Sequence, residues 1–161
     1  MKALKSFGVV LLCLCWLASL FYFASSLASV KNGLVIEDGI TYCYENNVML
    51  TGLQDVNGTT YYFSVKDGHM MKDGWVTAEG GERYYLSSAD GHVMKGGQLT
   101  ADGETYYVDE NGAMVTGFVT MSNGKTYYFD PSNGAMIRSA SVTVDGVVYT
   151  ADADGIISQG S

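Results

Sequence analysis

From residue 33 onward the chain alternates short aromatic and β-branched runs with pairs of turn-forming residues. The unit returns about every 21 residues, a period that marks a repeat architecture. Its core is an aromatic doublet, a turn pair and a methionine. It reads Tyr61-Tyr62-Phe63 then Asp67-Gly68-His69-Met70, and Tyr84-Tyr85-Leu86 then Asp90-Gly91-His92-Val93-Met94. It returns as Tyr106-Tyr107-Val108 then Asn111-Gly112-Ala113-Met114, and as Tyr127-Tyr128-Phe129 then Asn133-Gly134-Ala135-Met136. A looser copy (Tyr42-Cys43-Tyr44, Asn47, Met49) precedes these, and a worn one (Val148-Tyr149, Asp154-Gly155-Ile156) follows.

In each unit two β-prone runs flank a dipeptide such as Asn123-Gly124, a strong hairpin signal. The same layout surrounds Asp38-Gly39, Asn57-Gly58, Gly80-Gly81, Asp102-Gly103 and Asp145-Gly146. Repeats therefore start near Gly33, Gly52, Gly74, Gly97, Gly117 and Ala140. A lone hairpin is marginal in water, so neighbours must cover one another. The predicted fold is an all-β solenoid of stacked β-hairpins. Because adjacent strand residues face opposite ways, one ring of each doublet should enter the stack and the other should stay near the surface. Met71, Met94, Met114 and Met136 are expected to fill the stack, where a flexible thioether suits irregular gaps.

Residues 1–28 break the pattern. Lys2 and Lys5 precede a stretch without charge from Ser6 through Val30, and Phe7 to Phe23 is apolar apart from Ser19. An N-terminal apolar helix is expected, read as a signal peptide cleaved after Ala28, with Ser26 and Ala28 as the small flanking residues. The alternative is an uncleaved membrane anchor, since the stretch is long enough to span a bilayer. Residues 29–161 then form the repeat domain. The full chain carries 9 basic and 17 acidic residues, a net of −8. Without residues 1–28 the balance is 7 against 17, a net of −10. That argues against nucleic acid as a partner, and membrane contact is expected only through an uncleaved N-terminal helix. Cys13 and Cys15 leave with the signal, so Cys43 stands alone in a packing role with no internal disulfide.

Catalytic chemistry is not evident. His69 and His92 occupy a turn position that Ala113 and Ala135 fill elsewhere, and no nucleophile-elbow, zinc-protease or phosphate-loop pattern occurs. Asp152-x-Asp154-Gly155 lacks the bidentate Glu of a calcium loop. No enzyme, metal site or cofactor is expected.

The repeat resembles the cell-wall-binding repeat family, which includes choline-binding modules, glucan-binding repeats and clostridial toxin C-terminal repeats. Gly74-Trp75-Val76-Thr77 through Tyr84-Tyr85-Leu86 and Asp90-Gly91 to Met94 is the nearest copy, and Gly117-Phe118 through Met136 is the next. The resemblance covers about residues 33–160. It implies hairpins that hold carbohydrate or choline groups in shallow sites between repeats. In the choline-binding branch one ring follows the starting glycine and a second precedes the tyrosine pair. Here the first position carries Leu34, Leu53, Trp75, Gln98, Phe118 and Ser141, and the second carries Thr41, Thr60, Arg83, Thr105, Thr126 and Val147. Missing rings should weaken a choline cage by roughly ten- to several-hundred-fold, and Arg83 should repel a quaternary ammonium. Sugars suit the Thr-Tyr-Tyr-Phe version better, because an aromatic face covers the apolar side of a pyranose. The candidate carbohydrate or choline-like site residues are Trp75, Tyr84, Tyr85, Tyr106, Phe118, Tyr127 and Tyr128. The expectation is a secreted, cell-wall-associated, non-catalytic module of Gram-positive type that binds cell-wall or extracellular glycan. The alternative is a surface spacer or protein-interaction scaffold without a glycan site.

Overall fold

The computed structural model describes residues 29–160, so the apolar N-terminal segment and both readings of it lie outside the described residues. Among the described residues there are strands and turns but no helix, and so no helix long and apolar enough to cross a membrane. The first half holds β1 (Gly33–Glu37), β2 (Ile40–Glu45), β3 (Val48–Leu50), β4 (Gly52–Val56), β5 (Thr59–Phe63), β6 (Gly74–Thr77) and β7 (Arg83–Leu86). The second holds β8 (Gly97–Ala101), β9 (Glu104–Val108), β10 (Met114–Val115), β11 (Gly117–Thr120), β12 (Thr126–Phe129), β13 (Ala140–Val144), β14 (Val147–Ala151) and β15 (Ile157–Gln159). Antiparallel hairpins form at all six predicted turns: β1–β2, β4–β5, β6–β7, β8–β9, β11–β12 and β13–β14.

The turns are of two kinds. At Asn57-Gly58 both residues are left-handed (φ 54° and 80°), as a two-residue primed turn requires. Asp38-Gly39, Asp102-Gly103 and Asp145-Gly146 repeat this. At Asn123-Gly124 only the glycine is left-handed (φ 77°), and the Met121 amide donates to the Lys125 carbonyl at 2.9 Å. That closes a three-residue loop, and the Gly80-Gly81 hairpin does the same between Ala78 and Glu82. These two longer hairpins are the ones that carry Trp75 and Phe118.

Register sets a spine. Opposite the starting glycines lie Tyr44, Phe63, Leu86, Val108 and Phe129, and Ala151 lies opposite Ala140. Phe63, Leu86 and Phe129 are 0% exposed, and Val108 and Ala151 are 2%. In the first repeat Cys43 is deeper than Tyr44, whereas from the second on the residue after the doublet, not the doublet, is the most deeply buried. A glycine across the strand leaves room for it.

After the second turn the chain adds a short tail that faces the spine: Phe63 with Met70, Leu86 with Val93, Val108 with Met114, Phe129 with Met136, Ala151 with Ile157. The tail also bonds backward. The amides of Met70, Val93 and Met136 donate to the Thr41, Thr60 and Thr105 carbonyls of the preceding hairpins at 2.7–2.8 Å. Backbone hydrogen bonds, as well as side chains, therefore join repeat to repeat. This shifts the expected methionine register. Met70 and Val93, two residues after the turn glycine, take the facing position, whereas Met71 and Met94 lie one residue further and pack half-buried against adjacent clusters. Met114 is half-buried and Met136 is 6% exposed.

The doublets also differ from the expectation of one ring in and one ring out. Tyr62 and Tyr84 are buried while Tyr61 and Tyr85 are half-buried, as alternation requires. Tyr127 and Tyr128 are both buried, because each face of the β11–β12 hairpin has a cover. Tyr127 packs with Phe129 and Met136, and Tyr128 lies against Phe118.

Candidate functional site

A recurring aromatic set sits at each junction of hairpins, built from three register positions. The first follows the starting glycine, the second is its cross-strand partner, and the third is a tyrosine of the next hairpin. At the third junction these are Trp75, Tyr85 and Tyr106. Both tyrosines meet the indole edge-on, with ring centroids 5.1 Å and 4.9 Å away. Such tilted pairs follow from the opposed charge of ring face and ring edge. At the fifth junction Phe118 meets Tyr128 at 4.8 Å and Tyr149 at 4.7 Å with similar tilts. The other junctions are incomplete, with Leu53, Tyr62 and Tyr84 at one and Gln98, Tyr107 and Tyr127 at another. At the first, Leu34 pairs with Cys43, which is buried and free of disulfide, its thiol pushed up by desolvation.

The two complete sets differ in what lies on the ring. The Arg83 guanidinium stands over Trp75, 5.1 Å from the ring centroid. Its Nη1 donates to the Asn133 carbonyl at 3.3 Å and lies 3.8 Å from the Met114 sulfur, so one side chain spans three repeats. Trp75 is half-buried, and its Nε1–H is buried without a hydrogen-bond partner. At the fifth junction Thr126 replaces Arg83 and bonds across the hairpin to Thr120 at 2.8 Å. Phe118 is 41% exposed.

Of the predicted site residues, the structure brings Trp75, Tyr85 and Tyr106 together, and Phe118 with Tyr128. Tyr84 and Tyr127 are both buried in core clusters away from these sets. Tyr149 completes the second set and escapes sequence reasoning. The signal for it is a 43-residue spacing: 75 to 118, 85 to 128 and 106 to 149.

Grooves flank the sets. One of about 410 Å³ is lined by Tyr106, Glu104, Asn133, Met136 and Arg138, which combine a ring edge with acidic, basic and amide groups. Another of about 200 Å³ lies beside Arg83, Met114, Ser132 and Asn133. Shallow grooves of mixed polarity suit hydroxyl-rich ligands.

The two histidines each contact the turn aspartate two residues back, His69 with Asp67 at 2.5 Å and His92 with Asp90 at 2.6 Å. The bond from His92 is the main cause that holds the Asp90 carboxyl down at about 2, against an ordinary 3.8. A lowered carboxylate pKa lends stability above the unfolded value and loses it as pH falls. The turn should therefore hold above pH 4 and loosen toward pH 2. The Gly91 amide shift in an NMR titration checks this, and Asp90→Asn should flatten the response. Among the described residues no group of three His, Cys, Asp or Glu side chains is placed to hold a metal ion.

Fold and site together define a hairpin-repeat protein with aromatic clusters at its junctions. The choline-binding repeat pattern matches residues 50–98 and 95–141, more than half of the chain, and the chain belongs to that family. Solved structures agree. CbpJ from Streptococcus pneumoniae is 28% identical over 80% of this chain and 42% of its own, with a TM-score of 0.66. Choline-binding protein F from the same organism, solved in the presence of a tetrasaccharide-pentapeptide peptidoglycan analogue, is 31% identical over 81% of this chain and 42% of its own, with a TM-score of 0.66. A truncated alternansucrase from Leuconostoc mesenteroides is 27% identical over 67% of this chain and 10% of its own, with a TM-score of 0.61. The chain thus spans less than half the length of these proteins. No curated protein matches it significantly.

Proposed function

We propose that this chain is a non-catalytic binding module that attaches to cell-wall or extracellular polysaccharide, bare or choline-decorated, through aromatic sites between stacked repeats. In this reading residues 29–161 form one solenoid of hairpins, exported by the N-terminal segment and held at the cell surface by its ligand. The observation that carries it is the set of Phe118, Tyr128 and Tyr149, whose tilted rings leave Phe118 partly open to solvent. An exposed ring of this size, fixed between two others, offers a flat face to a sugar or to an ammonium group. Family membership and the likeness to a structure determined with a peptidoglycan analogue support it.

The test is calorimetric titration of the exported protein with choline, with dextran and with purified wall fragments. Saturable binding of at least one is expected. Phe118→Ala should weaken it by roughly five- to thirty-fold, the worth of one ring in such a site, while circular dichroism stays unchanged. If none of the three ligands binds, the scaffold alternative stands instead.

A further inference from the structure

The two complete aromatic sets should be equivalent, since all three ring positions repeat at the same spacing, yet only one has a free face. The difference lies in the residue before the tyrosine doublet. Thr126 turns to its cross-strand neighbour Thr120 and leaves Phe118 uncovered. Arg83 instead lays its guanidinium over Trp75 and is fastened there by the Asn133 carbonyl of a hairpin two repeats on. A planar cation over an indole is the arrangement that an aromatic cage offers an external ammonium ion. Here the cation belongs to the chain.

We propose that Arg83 is a resident cation that occupies the Trp75 cage and closes it to external cations, so that specificity passes to the open cage at Phe118. The inference builds on the reading of these junctions as ligand sites. Three observations carry it: the guanidinium lies over the ring face, its donor is anchored at 3.3 Å, and the homologous hairpin without an arginine has an exposed ring. The lack of a fixed acidic partner for Arg83 fits the same picture. Among the described residues no ion pair involves it, so the ring, the Asn133 carbonyl and the Met114 sulfur are what hold it.

Indole NMR of the full chain carrying Trp16→Phe isolates the Trp75 signal. Choline is the probe. In the protein with Arg83 intact, the Trp75 signal should not respond to choline. Arg83→Thr copies the residue used at the open junction and should produce a saturable Trp75 shift, with apparent affinity at that ring raised roughly tenfold or more. Arg83→Gln, which keeps more of the side-chain bulk, should gain the same response, whereas Arg83→Lys should keep the cage closed because the cation remains. Near-UV circular dichroism of each variant confirms that the ring packing survives. A saturable Trp75 shift with Arg83 in place would overturn the proposal. So would silence at Trp75 in folded Arg83→Thr and Arg83→Gln. Binding at the Phe118 cage is followed separately through Phe118→Ala. If choline leaves that cage untouched but shifts Trp75 in Arg83→Thr, closure of the Trp75 cage by Arg83 holds while the passing of specificity to Phe118 is overturned.

Discussion

Phe129→Ala should lower stability by about 4 kcal/mol, the usual loss for a fully enclosed phenylalanine. Phe129 is 0% exposed and faces Gly117 on one side and Met136 on the other. Its ring packs with Tyr127 and Met136 and lies 5.9 Å from Tyr107 of the preceding hairpin. Ile156 of the last repeat packs on the same cluster. Truncation would therefore empty a point where three repeats meet. In a stack where each unit leans on its neighbours, such a gap also weakens coupling along the axis. Urea unfolding followed by circular dichroism should show a lower midpoint and a broader transition. Phe118→Ala is the control, because its ring is 41% exposed and should cost about 1 kcal/mol or less. Equal losses at the two positions would refute the spine assignment.

That contrast marks how far the sequence could be read. The six hairpins are legible because a left-handed glycine at the turn is a local requirement, supplied by Asp-Gly, Asn-Gly or Gly-Gly whatever the surroundings. The spine is not legible in the same way. Its residues change from Phe63 to Leu86, Val108, Phe129 and Ala151, and only strand register shows that they share one environment. The tails are hidden for another reason. Each is two or three residues long or a single bridge, too short for any alternation to be counted. The site was half visible. Trp75 and Phe118 stand out because they follow a starting glycine. Tyr149 does not, since Thr150 has replaced the second ring of its doublet and its partners belong to another hairpin. Arg83 reads in sequence as a charge that repels a cation. In the structure it takes the cation's place.

The glycines carry a second distinction that identical dipeptides conceal, and Gly112→Ala is the substitution that exposes it. Gly112 is buried with φ of +90°, and a methyl group added there would meet the Val93 side chain at 2.5 Å and the Met94 carbonyl oxygen at 2.9 Å. Both belong to the preceding repeat, so the glycine is where two repeats press backbone to backbone. The oxygen is a backbone atom and yields less readily than the end of a flexible side chain. Gly103 has a similar φ of +81° but is exposed, and nothing lies within 4 Å of the added methyl. Its replacement should cost only the left-handed backbone, about 1 kcal/mol. Gly112→Ala adds an overlap that the packed interior resists, for a total of about 3 kcal/mol. The measurement is the pair of urea midpoints at equal slope. A deficit in Gly112→Ala no larger than that in Gly103→Ala would mean that the repeats can slide apart at no cost, and that the tail hydrogen bonds do not fix their spacing. A larger one separates two jobs of one short motif: the first turn of each repeat needs glycine for its backbone angle, and the second needs it for the space between repeats.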